Sequence, residues 1–111
     1  MRRVCIESPL RGDYETNRAY AKACMRDCLK RGEAPYASHL LFDQPGILDD
    51  TKPEEREQGI LAGFAWAAVC ELRVVYLDLG LSSGMQRGID AARLLGQAVE
   101  ERYLGDDWRT K

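Results

Sequence analysis

Apolar residues in this chain follow two alternating rhythms, short continuous runs and longer stretches spaced at helical intervals. Arg3-Val-Cys-Ile-Glu7 is a short apolar run closed by the turn signal Ser8-Pro9, and it predicts a first strand. After the loop Ser8–Asp13 a helix is expected from Tyr14 to Lys30 or Arg31, with Asp13 as N-cap and Gly32 as its stop. Ala19, Ala23, Met25, Cys28 and Leu29 are its candidate buried residues. Ala34–His39 reads as a second strand, which Leu40-Leu-Phe42 either continues or leaves. Pro53 suits the first position of a second helix, and Glu54, Glu55 and Glu57 suit the dipole there. That helix runs through Val69 and is apolar nearly all round, more than one face against a sheet requires, which predicts a subunit partner on its other side. Leu72–Leu77 is the best buried strand. Met85, Gly88, Ile89, Ala92 and Leu95 then mark one face of a third helix, entered through Ser82 or Ser83 as N-cap. Gln97–Tyr103 reads as a fourth strand and Gly105–Lys111 as a polar tail.

Strands alternating with helices in this order predict an α/β domain over residues 1–104. Its architecture is a Rossmann-like or flavodoxin-like parallel sheet of about four to five strands with flanking helices and right-handed crossovers. The ligand crevice of such a sheet lies at the carboxyl ends of the strands, where the loops Ser8–Asp13, His39–Thr51 and Asp78–Gly84 would meet. The 111 residues are one domain's worth, enough for a modest core without disulfides. A net charge of −2 argues against a general nucleic-acid binder. No apolar run approaches the roughly 20 residues of a membrane helix, and Met1–Ile6 reads as a strand and not as a leader. Cys5, Cys24, Cys28 and Cys70 lack tight C-x-x-C spacing; they read as reduced apolar fillers of a cytoplasmic protein, with a metal site including His39 as the sharper alternative.

The candidate chemistry collects on those loops. The first turn of the third helix offers free N–H groups, and Ser82, Ser83 and Gly84 beside it can meet a phosphate or sugar hydroxyl. Gln86 lies in the same turn, next to Met85, and is the central position. Arg11, followed by Gly12, is either a phosphate-holding fork or a solvated turn residue. Ser8 is either a phosphate or ribose ligand or an ordinary residue before proline, and His39 either contacts a ligand or is structural. Asp78, at the end of the best strand, can orient a ribose or assist proton transfer. Asp43, Asp49 and Asp50 read first as turn chemistry. Tyr14, Phe64 and Trp66 read first as packing or dimer contacts, and Arg11-Gly-Asp13 gains no support as an adhesion motif.

Three stretches, Cys5-Ile-Glu-Ser-Pro-Leu-Arg-Gly12, Ser38-His-Leu-Leu-Phe42 and Ser83-Gly-Met-Gln-Arg-Gly88, in this order, resemble the nucleoside 2-deoxyribosyltransferase superfamily. That group includes the 2'-deoxynucleoside 5'-phosphate N-hydrolases, and the likeness is to its small bacterial and phage members. It implies cleavage of an N-glycosidic bond or (deoxy)ribosyl transfer on a nucleoside or nucleotide, with no cofactor and no metal. In the family a Glu of Gly-Met-Glu-Leu-Gly attacks the anomeric carbon and forms a sugar ester. The matching position here is Gln86, and Asp78 is the acid expected nearby. An amide has no anionic oxygen. A register set instead by Gly96 puts Gly88 there, again with no carboxylate, and Asp90 lies one turn deeper. Gln86 is therefore either a replacement that traps a ligand in an otherwise active enzyme, or native to a module that binds a nucleotide without cleaving it. The implied partners are a nucleoside or nucleotide and a second copy of the chain through the 53–69 helix, with no nucleic-acid polymer and no membrane.

Overall fold

A computed structural model describes residues 1–110 of the chain, and for Thr110 the backbone only. Four parallel strands form one sheet, β1 (Arg3–Glu7), β2 (Ala34–Tyr36), β3 (Leu72–Tyr76) and β4 (Ala98–Arg102), in the order β2-β1-β3-β4. The helices are α1 (Tyr14–Lys30), α2 (Ser38–Leu41), α3 (Pro53–Ala67) and α4 (Ser83–Leu94), followed by a 3-10 turn over Trp108–Thr110. The expected α/β parallel sheet is present.

Local chemistry accounts for most element ends. The Asp13 carboxylate accepts from the Thr16 N–H at 3.2 Å and from its hydroxyl at 2.7 Å, which caps α1. Ser82 caps α4 by accepting the Met85 N–H at 3.2 Å. Pro53 opens α3 where no intrahelical donor is needed. β3 is buried along its whole length, as a central parallel strand must be.

The expected second strand is shorter than its pattern. β1 pairs with β2 only from Arg3↔Ala34 to Cys5↔Tyr36. Beyond that register the chain turns, and Ser38 and His39 stand on α2 instead of on a strand. The turn lets Ser38 dock on α3 at Gly63, where an added Cβ would come within 3.0 Å of the Ser38 Cβ.

The core lies mainly on the α1 side of the sheet and joins Val4, Ile6, Leu72, Val74 and Tyr76 to Tyr20, Cys24 and Cys28. Of the expected core of α1, Cys28 is buried and Met25 packs against the cluster, but Ala19 and Leu29 are exposed. The inward stripe is instead Asn17, Tyr20, Ala21, Cys24 and Cys28. On the other side Val75, Met85 and Ile89 form a second cluster. Leu95, expected on that face, caps α4 and is exposed. Trp108 meets Tyr20 edge-on at 5.0 Å, so part of the expected C-terminal tail lies on the core. The four cysteines are free thiols, Cys70 half-buried and the others buried. Among the described residues no helix is long and apolar enough to cross a membrane.

β1 leads to β2 in one direction and β2 leads back across to β3 in the other, so the connections diverge between β1 and β3. In a sheet of this kind a crevice opens at that divergence.

Candidate active site

A cleft of about 140 Å3 opens there, lined from β1 and its loop by Glu7, Ser8 and Arg11, and from the α4 start by Ser82, Ser83, Gly84 and Met85. A cavity near 150 Å3 holds a benzene-sized ring, so its enclosed part suits one ring, with the rest of a larger ligand running out through the mouth. α2 and the loop after it contribute Ser38, His39, Asp43 and Asp50, and α3 covers the cleft with Gly59, Ile60, Gly63 and Phe64.

At one end the cleft favours anions. Ser83 and Gly84 are the first residues of α4, so their N–H groups have no intrahelical acceptor. Arg56 reaches toward them, its guanidinium 3.6 Å from where a Cβ on Gly84 would sit. Arg11 stands on the facing loop and takes no part in the ion pairs around Asp43 and Asp50.

Those pairs brace the long loop. Arg18 donates to Asp43 at 2.6 Å, and Asp43 accepts the Asp50 N–H at 3.1 Å. Asp50 in turn accepts from the Tyr14 hydroxyl at 2.9 Å and from Arg56 at 3.3 Å. Tyr14 thus serves as a tie. His39 Nε2 lies 2.9 Å from the Ser8 Oγ, and burial pushes its pKa down to about 4 against the opposing pull of Asp43 and Asp50. The imidazole is neutral near pH 7 and orients Ser8 without adding charge.

Other expected site residues lie elsewhere. Gln86 is not among the cleft-lining side chains; its Nε2 donates to Asp90 at 2.9 Å on the exposed side of α4. Asp78 ties the C-terminal segment down, accepting from the Tyr20 hydroxyl at 2.5 Å and from the N–H groups of Leu104 and Gly105 at 2.9 and 3.1 Å. Burial works against its ionisation, but these bonds prevail and hold its pKa below the ordinary aspartate value. Gly12 is exposed, with φ +104°, and serves the turn after Arg11.

Among the charged lining residues, Arg56 and Glu7 do not stand out in the sequence. Glu7 ends β1 inside the cleft and accepts from Arg73 at 2.9 Å. Arg73 is fully buried in β3 and also donates to the Gly88 carbonyl at 2.6 Å and to Gln97 Oε1 at 3.1 Å. Burial raises the Glu7 pKa to about 7, with Arg73 pulling the other way.

The family model described as "Domain of unknown function (DUF7768)" matches residues 2–102. The chain belongs to this family. No curated protein matches the DUF7768 chain in sequence. Among solved structures, its fold is similar to that of a 2-deoxyribosyltransferase from Bacillus psychrosaccharolyticus, at TM-score 0.63 and 14% identity over 97% of this chain and 88% of that one. It is also similar to a 2-desoxiribosyltransferase from Leishmania mexicana, at TM-score 0.60 and 12% identity, covering 95% of this chain and 66% of the other. A Clostridium botulinum CMP N-glycosidase is similar at TM-score 0.53 and 12% identity, covering 92% and 71%. The DUF7768 chain therefore has the fold that the motif resemblance implied.

Proposed function

We propose that this cleft takes a nucleoside or nucleotide and that the domain cleaves its N-glycosidic bond or transfers its (deoxy)ribosyl group. The observation that carries the reading is the cleft at the divergence of β1 and β3, with an anion-favouring end at Arg11, Arg56 and the α4 N-terminus and hydroxyls from Ser8, Ser82 and Ser83. Neighbours of the same fold named as 2-deoxyribosyltransferases and a CMP N-glycosidase support it. The 5'-phosphate would lie against Arg11 and the helix N-terminus, and the sugar in the enclosed part.

A second reading, a non-catalytic nucleotide-binding module, is favoured by one observation. The α4 position that the motif resemblance assigns to a nucleophilic Glu carries Gln86, with its amide turned to Asp90.

Free-base release from a panel of nucleosides and 5'-nucleotides, measured for the unmodified chain and for Gln86→Glu, separates the two. Release by either form supports the enzyme. Nucleotide binding without release by either moves the function to a binding module, and no binding overturns both.

The proposal extends to assembly and setting. Leu61, Trp66 and Val69 are exposed on or just beyond α3, which supports a homodimer through this helix. The free thiols suit a cytoplasmic protein.

A further inference from the structure

We propose that Glu7, and not a residue of α4, is the carboxylate that attacks the anomeric carbon in this cleft; the assignment rests on the N-glycosidic reading above. A glycosyl ester needs an anionic oxygen inside the cleft, held at a fixed angle with one lone pair free. Gln86 supplies no anion, and Asp90 is exposed and engaged with Gln86. Asp43 and Asp50 are committed to Arg18, Arg56 and Tyr14, and Glu55, which also lines the cleft, holds the Asp49 N–H at 2.9 Å and pairs with Lys52 at 3.6 Å. Glu7 meets each requirement.

Its Oε2 is fixed by Arg73, which is itself held by Gly88 and Gln97 from α4 and the turn before β4. Among the described residues its Oε1 takes no hydrogen bond. Among the described residues the Tyr36 hydroxyl oxygen is the buried side-chain polar atom left without a partner, so Glu7 Oε1 keeps some solvent exposure, and Glu7 lines the cleft. Gly88 makes the placement possible: a Cβ there would overlap the whole Glu7 carboxyl group. The strand carboxylate therefore lies against the second turn of α4. It brings an anionic oxygen to the cleft wall whose helix carries an amide at position 86.

In the step, a lone pair of Glu7 Oε1 forms the bond to the anomeric carbon as the carbon–nitrogen bond breaks. That bonding pair leaves with the base nitrogen, which takes a proton from water at the cleft mouth. Water then attacks the anomeric carbon and gives up a proton to solvent, releasing the free sugar, or a second base attacks the same carbon, loses its N–H proton to solvent and leaves as a nucleoside. On both routes the bond from that carbon to Oε1 breaks and its pair returns to the Glu7 carboxylate. Since burial places the Glu7 pKa near 7, the rate should rise with pH through neutrality.

The test measures base release and nucleotide binding for the unmodified chain, Glu7→Gln and Gln86→Glu. A second arm incubates the unmodified chain with a 2'-deoxy-2'-fluoro nucleoside or 5'-nucleotide and maps any sugar adduct by peptide mass spectrometry. The expected result is release by the unmodified chain, release at least about 1,000-fold slower by Glu7→Gln with binding retained, and the adduct on Glu7. Equal release by Glu7→Gln overturns the assignment while the glycosidic reading stands, as does release by Gln86→Glu alone. Binding without release by any form overturns both. If Glu7→Gln does not fold, the adduct decides: an ester on another residue, or none, overturns the assignment.

Discussion

Replacing Gly88 with Ala sets two known effects against each other. In the middle of a helix, Gly→Ala is ordinarily stabilising by about 1 kcal/mol. Here the added methyl would occupy the place of the Glu7 carboxyl group. Glu7 must swing away, and Arg73, almost wholly inaccessible at 1%, loses its one carboxylate and keeps only the Gly88 carbonyl and Gln97. Breaking a buried pair by displacing one partner costs about 3–5 kcal/mol, so above pH 7, where the Glu7 carboxyl is ionised, the net loss is about 2–4 kcal/mol. At roughly 4 °C per kcal/mol for a domain of this size, Tm falls by about 8–16 °C. The sign should invert when Glu7 is absent: in a Glu7→Ala background the methyl meets no carboxyl, and Gly88→Ala should stabilise by about 1 kcal/mol. Denaturant titrations of the four members of this cycle measure both arms. Stabilisation of the unmodified chain by Gly88→Ala, or the same sign in both backgrounds, refutes the reasoning.

Four further outcomes are expected. Hydrogen bonds from Arg102 hold the Glu33 pKa at about 2, against an ordinary 4.5. The pair's stabilisation is complete above pH 4.5 and is lost as pH falls toward 2, about 3 kcal/mol in all; acid titration of Glu33→Gln should lack that component. The His39 ring should titrate near pH 4 by NMR and stay neutral from pH 6 to 8. Arg11→Ala should weaken binding of 5'-nucleotides at least about tenfold more than that of nucleosides by calorimetry, and equal losses count against a phosphate role. Trp66→Lys, at an exposed position on α3, should shift a concentration-dependent dimer toward monomer in sedimentation.

The sequence made the local elements readable because their causes are local. Asp13 and Ser82 are cap residues next to helical periods, and Pro53 opens a helix wherever it starts one. The loops that build the cleft are legible from strand order alone. The side chains inside it are not. Glu7 looks like the polar end of a strand until β3 lies beside β1 and sets Cys5 opposite Arg73. A signal was present: an arginine inside an otherwise apolar buried strand requires a carboxylate nearby, and Arg73 stands at such a position. The same logic applies to Arg102 and Glu33, which are 69 residues apart and bonded at 2.7 Å. Ser38 and His39 depart from their pattern for another reason. That pattern fits a strand, but pairing with β1 stops at Tyr36, and docking on α3 decides the course of the chain beyond it.

The two margins of the sheet have a bearing on how copies of this protein can meet. β2 offers only three residues, and its middle one, Pro35, has no N–H to give. β4 is longer, but it carries two exposed acids, Glu100 and Glu101, and the Glu100 carboxylate accepts from Arg102 at 2.6 Å. Short, proline-bearing or charged borders resist the addition of a foreign strand. Sheet-to-sheet continuation into fibres is therefore disfavoured at both margins of the sheet.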